Sequence, residues 1–127
     1  MNTGNARPWI ALGCLSAAVA VALGAFGAHA WKDALTERGQ LANWDTAVRY
    51  QLVHALALIV FELFRERTNT RTFTAWMFFF GSVAFSGSLY ALCFGIGKTL
   101  MGPLTPLGGL LLLAGWIAFA VAALRRR

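Results

Sequence analysis

The sequence predicts an all-α, polytopic membrane protein: a small bundle of four transmembrane helices. Three observations carry this. The chain has 127 residues, of which 58% are hydrophobic and only 13% charged, against about 25% charged in soluble domains. No charge interrupts residues 8–31, 72–97 or 99–124, and each of these runs exceeds the roughly 20 residues that cross a hydrocarbon core about 30 Å thick. Between the first two lies a further apolar stretch, QLVHALALIVF at 51–61. A chain this short and apolar has too little interior to hide its surface from water. Lipid is then the solvent, and in lipid each segment must satisfy its own backbone polar groups, which means helix.

The expected spans are 8–30, 44–64, 73–94 and 105–124, within a single integral membrane domain covering 1–127. The first is uncharged after Arg7. The second is less clean, with Arg49, Gln51, His54 and Glu62, but a chain crossing four times needs it. Asn43 is placed to cap it, and Asp45 and Arg49 stand four apart in the order that favours an ion pair. RERTNTR leads to the third span. GIGKTLMGPL leads to the fourth, with Gly95, Gly97, Gly102 and Pro103 read as helix breakers. WKDALTERGQLAN, joining the first two, has room for one surface helical turn around Leu35 to Leu41.

Cationic residues set the orientation. Arg7, Arg65, Arg67, Arg71, Arg125, Arg126 and Arg127 share one side, against Lys32, Arg38, Arg49 and Lys98 on the other. The positive-inside rule then places both termini in the cytoplasm of a bacterial inner membrane. Arg7 followed by an apolar run and Ala28-His29-Ala30 imitates a signal peptide, but the run is too long for an h-region of about 7–15 residues. The first segment is read as a retained span. The net charge of +6 comes from arginines at the ends of apolar runs and not from a basic face with aromatics, so no nucleic acid is expected as a partner.

The polar residues inside the spans carry whatever chemistry there is. At 100° per residue Gln51, His54, Leu58 and Glu62 fall on one stripe facing the bundle. Ser82, Ser86 and Cys93 share a stripe on the third helix, with Tyr90 at its edge. Topology brings His29, Tyr50, Gln51, His54, Ser86, Ser88, Tyr90 and Thr105 toward the outer half of the bundle. Two readings stay open: a ligand or proton-handling cluster, or hydrogen bonds that join helices. His54 bonded to a serine or tyrosine of the third helix is the expected pairing, and His29 is expected to bond the first loop or a neighbouring helix. Glu62 is expected to pair with Arg65 or to snorkel to the interface, with a proton path through Gln51, His54 and Glu62 as the alternative. Cys14 and Cys93 lie singly in apolar segments, without metal-type spacing, and are expected buried and inert. The two histidines lie at different depths, so no shared haem or metal is expected and no cofactor is assigned. GIGKT imitates a phosphate loop, but Leu92 stands where that pattern needs glycine. Gly13, Ala17, Gly24 and Gly27 on the first helix, and Gly108 and Gly115 on the fourth, form small-residue stripes for close helix packing.

Four motifs in this order, GAFGAHA (24–30), W-x-TAVRYQLVHALAL (44–58), FSGSLY (85–90) and TPLGGLLLLAGW (105–116), resemble the bacterial domain of unknown function 423 family of small inner-membrane proteins. The eukaryotic transmembrane protein 256 group looks related. The resemblance covers about 9–123 and implies a four-helix integral membrane protein. It implies no reaction, and no catalytic residue is carried over. The expectation is a structural or accessory component of a larger membrane complex, with the lipid bilayer and either a membrane-protein partner or a further copy of the chain as neighbours. The alternative is a small transporter or a lipid- or quinone-type ligand binder using the polar cluster.

Overall fold

The computed structural model describes residues 6–125. Six α-helices form it: α1 (Pro8–Ala28), α2 (Lys32–Glu37), α3 (Leu41–Thr68), α4 (Phe73–Ser82), α5 (Ser88–Cys93) and α6 (Lys98–Leu124). A π-helical turn, Val83–Gly87, joins α4 to α5 without a break. Among the described residues four helical stretches are long and apolar enough to cross a membrane: α1, α3, the composite Phe73–Cys93, and α6.

The bundle is centred on α3. Helix α1 packs chiefly on α3, while the third span fits between α3 and α6. One apolar cluster joins Trp9, Leu58, Phe61, Ala75, Phe78 and Leu112. A second, at the opposite end, joins Leu35 of α2 to Trp44 and Cys93. The surface helical turn expected near Leu35 is therefore α2, pinned by one fully buried leucine. Large apolar side chains such as Leu15, Val21, Val60, Leu110 and Ile117 face outward, as lipid-facing residues do.

Two glycines set how closely the helices approach. A Cβ on Gly108 would run into the backbone of Ala84 and Phe85, so α6 rides directly on the π turn. A Cβ on Gly13 would lie 2.5 Å from Ile59 and 3.0 Å from the Ala55 carbonyl oxygen. Gly27 lies against the Trp44 ring, and Gly115 against Phe78. Gly24 is less critical than its place in the stripe suggested: its nearest neighbour would be Val48 Cγ1 at 3.2 Å, the end of a side chain that can shift. Ala17 is only half-buried.

Several boundaries differ from expectation. Helix α3 begins at Leu41, with Gln40 before it and no side-chain cap; Asn43 lies inside the first turn and donates its Nδ2 to Gln40 Oε1 at 2.8 Å. Helix α6 begins at Lys98, so Gly102, Pro103 and Pro106 do not break it. The left-handed turn at Gly97 (φ 60°) starts α6, and its carbonyl accepts from Leu100 and Met101. A proline near a helix start forfeits a bond whose carbonyl is left close to the membrane surface, where water can reach it. No ion pair joins Asp45 to Arg49 among the described residues; the ion pairs there are Arg7–Glu66 and Arg65–Glu62.

The close approach at Gly108 gives a direct test. Gly108→Ala should destabilise the bundle by about 1–3 kcal/mol, the usual cost of overpacking. Gly102→Ala, with open space around it, should be neutral or stabilising by up to about 1 kcal/mol. Thermal unfolding of the two variants in one detergent checks the difference.

Candidate functional site

The expected stripe on α3 is interior: Gln51, His54, Leu58 and Glu62 are all buried. Gln51 reaches two helices at once. Its Nε2 donates to the Ser16 carbonyl of α1 at 3.0 Å, and its Oε1 accepts from the Tyr90 hydroxyl of α5 at 2.7 Å. Ser86 lies in the π turn and donates to the Ala47 carbonyl of α3 at 2.8 Å. Trp44 Nε1 donates to the Leu23 carbonyl at 2.9 Å. Ser88 and Thr105 share a hydrogen bond between α5 and α6.

Ser86 and Ser88 are both buried, at 2% and 1% exposure. Two residues apart, they would point to nearly opposite sides of a regular helix. The third span is flanked on both sides, so Ser86 turns to α3 and Ser88 to α6.

His54 is not bonded to a serine or tyrosine side chain of the third span. Its Nδ1 lies 2.7 Å from the Tyr50 carbonyl oxygen, and its Nε2 accepts from Trp116 Nε1 of α6 at 3.0 Å. A carbonyl only accepts and an indole only donates. The two contacts therefore fit a neutral ring with its proton on Nδ1, and protonating Nε2 would set two donors face to face. Glu62 takes the simpler of its two expected roles. Its carboxylate accepts from Arg65 Nε at 2.7 Å and Nη2 at 2.6 Å. No hydrogen bond links His54 to Glu62 among the described residues, so no continuous path through Gln51, His54 and Glu62 is formed.

The polar residues do not gather in one half of the bundle. Gln51 is level with Ser16, near the middle of α1, and the residue after His54 packs on Gly13, nearer the start of α1. Ser86, Ser88 and Thr105 lie toward the Trp44 end. His29 is remote and exposed at the end of α1; its backbone N–H caps the Ala25 and Phe26 carbonyls, and no side-chain hydrogen bond holds it among the described residues. Tyr50 is also partly exposed, its ring tilted against that of Phe85 at 4.5 Å between centroids. Cys14 is exposed, on the side of α1 away from α3, whereas Cys93 is buried.

Sequence reasoning missed Trp44 and Trp116 as donors. The signal was available: an indole N–H inside a span needs an acceptor. Every fully buried side-chain nitrogen and oxygen among the described residues has a hydrogen-bond partner. Among those residues no group of three His, Cys, Asp or Glu side chains is arranged to hold a metal ion. A groove of about 250 Å³ lies between α1 and the third span, with Gln51, His54, Ser82, Ser86 and Tyr90 among its lining residues.

Comparison with known proteins agrees with the four motifs. The family model described as "Protein of unknown function (DUF423)" matches residues 23–109. The chain is similar to a UPF0382 membrane protein of Staphylococcus epidermidis, 40% identical over 94% of this chain and 97% of the relative. It is 38% identical to the UPF0382 membrane protein YwdK of Bacillus subtilis, over 94% of this chain and 98% of the relative. A eukaryotic relative, the UPF0382 membrane protein C1782.12c of Schizosaccharomyces pombe, is 35% identical over 84% and 93%. No solved structure matches the chain.

The hydrogen bonds around His54 generate an ordered pair of expectations. His54→Ala leaves Trp116 Nε1 without its acceptor and should cost about 1–3 kcal/mol. His29→Ala should stay within about 0.5 kcal/mol of the unaltered chain. Both are read from thermal unfolding in detergent, and Trp116→Phe should recover part of the His54→Ala loss in a double-mutant cycle.

Proposed function

This chain belongs to the DUF423 family of membrane proteins, and from that premise we propose that it is an accessory component of the bacterial inner membrane. It acts by association with a larger membrane complex or with further copies of itself, and it carries out no reaction of its own. One observation supports this reading above the others. Of the polar side chains within the spans that looked chemically available, all but Tyr50 are engaged in holding helices together: Gln51 to Ser16 and Tyr90, Ser86 to Ala47, His54 to Trp116, Ser88 to Thr105. A reaction or transport site keeps polar groups free for its substrate. Here they serve as interhelical glue, each worth on the order of 1 kcal/mol.

The second reading, a small transporter or a lipid- or quinone-type ligand binder, is favoured by the groove of about 250 Å³ that borders Gln51, His54 and Tyr90. It requires those groups to exchange their present partners for a ligand. The orientation proposed with either reading has both termini cytoplasmic, which follows from the concentration of arginine at the end of the bundle holding Arg7, Arg65, Arg67, Arg71 and Arg125.

Purification of the tagged full-length chain in a mild detergent distinguishes the two. The accessory reading expects a protein partner in fixed ratio, or a defined oligomer. A monomer carrying a quinone-type molecule, lost on Gln51→Leu or Tyr90→Phe, would establish the second reading instead. Reporter fusions should read cytoplasmic at residues 69 and 127 and periplasmic at 38 and 98; a periplasmic signal at 69 would reverse the orientation.

A further inference from the structure

Arg49 stands outside the bonding scheme of the bundle. It is exposed on α3, and among the described residues it has neither an ion pair nor a hydrogen bond. Asp45, one turn nearer the start of α3, is likewise exposed and unpaired there. An ionised side chain within a membrane span is costly unless a partner of opposite charge meets it. Arg49 also lines the mouth of a second groove, of about 490 Å³, between α3 and α6, walled by Tyr50, Val53, Phe85, Leu113 and Trp116. That volume is within the roughly 300–1,000 Å³ of ligand sites. Gly109 lines the groove, and a Cβ there would lie 3.6 Å from the Phe85 ring, an ordinary contact, so that a larger side chain at this position would occupy the groove.

We propose that this groove holds one aminophospholipid, with its phosphate on Arg49, its primary ammonium on Asp45 and an acyl chain along the groove. The order of the charges carries the argument. Residues four apart on a helix share a face, about 5–6 Å between Cβ atoms, and Asp45 lies about 6 Å nearer the membrane surface at the Trp44 end. A phosphoethanolamine headgroup has the same order, ammonium outermost and phosphate beneath it, with the chains deeper still. Side chains on α3 lean toward its start, so both charges extend toward the headgroup layer. A choline headgroup carries three methyls and no N–H to donate to Asp45. A glycerol headgroup has no cation to meet it. The Tyr50 hydroxyl, without a hydrogen-bond partner among the described residues, is at hand for an ester oxygen. This site is independent of the accessory reading, since it lies on the lipid-facing side of α3 and α6.

Native mass spectrometry of the full-length chain in detergent, incubated with equimolar phosphatidylethanolamine, phosphatidylcholine and phosphatidylglycerol, tests it. The expected result is one retained phosphatidylethanolamine per chain, favoured about fivefold or more over the other two. Arg49→Gln should lower retention about five- to tenfold, with Arg49→Lys restoring most of it. Asp45→Asn should keep a bound phospholipid but lose the preference over phosphatidylcholine. Gly109→Leu should lower retention by filling the groove, and Arg38→Gln, a cation at the same end but over the Phe94 ring, should change nothing. Size-exclusion profiles establish that each variant is folded, and the Asp45→Asn comparison stands even where Arg49→Gln is not. Equal retention by Arg49→Gln and the unaltered chain overturns the proposal. So does a preference for phosphatidylglycerol or phosphatidylcholine, a neutral molecule such as a quinone in place of the phospholipid, or no retained lipid at all.

Discussion

In the bundle, Gln51 fixes the heights of three spans against one another. Its amide nitrogen holds the Ser16 carbonyl of α1 and its oxygen holds the Tyr90 hydroxyl of the third span. A side-chain amide buried in a membrane protein must have such partners, because no water is present to replace them. The rest of the register follows. With Gln51 opposite Ser16, Gly13 meets Ala55 and Ile59, and Trp44 reaches the Leu23 carbonyl. With Tyr90 drawn to Gln51, Ser86 comes under Ala47. Apolar contact between helices has little directionality in lipid, whose chains are as apolar as leucine. Hydrogen bonds to particular carbonyls supply the specificity that packing alone lacks.

The π turn serves the same constraint. It carries Ser86, which bonds the Ala47 carbonyl of α3, and its backbone is where α6 comes close, through Gly108. Widened turns of this kind often mark functional positions. Here the turn joins the α1–α3 half of the bundle to α6. His54 and Trp116 make the second such link, with a neutral imidazole as acceptor. The family motifs FSGSLY, W-x-TAVRYQLVHALAL and TPLGGLLLLAGW contain the residues of these links, apart from the α1 carbonyls to which a side chain of any kind would leave the acceptor unchanged.

The charged residues divide between the two ends and one exposed site. Arg7 pairs with Glu66 at 3.1 Å and Arg65 with Glu62, tying the start of α1 to the end of α3 and satisfying a carboxylate that is only 2% exposed. Asp45 and Arg49 follow a different logic. Their spacing suits a pair, yet they stand apart on the surface that lipid covers, where headgroups offer each of them an opposite charge.

The four spans, their order and the buried stripe on α3 were legible in the sequence. These follow from composition, helical period and charge, all properties of one segment or of close neighbours along the chain. The sequence also carried the family, because the motifs are contiguous strings. Tertiary structure alone decided which partner each polar residue takes. Helical period places His54 on an interior face, but Ser86, Tyr90 and Trp116 all lie on interior faces, and only the heights of the helices select among them. The expected outer cluster rested on counting from loop ends, and α3 and α6 begin earlier than those loops implied: a proline near a helix start costs little, and Gly97 supplied the turn. His29, expected to bond the first loop or a neighbouring helix, instead lies exposed just past the last helical turn of α1. A histidine's neighbours across a bundle come from residues far away in the chain, and no local pattern records them.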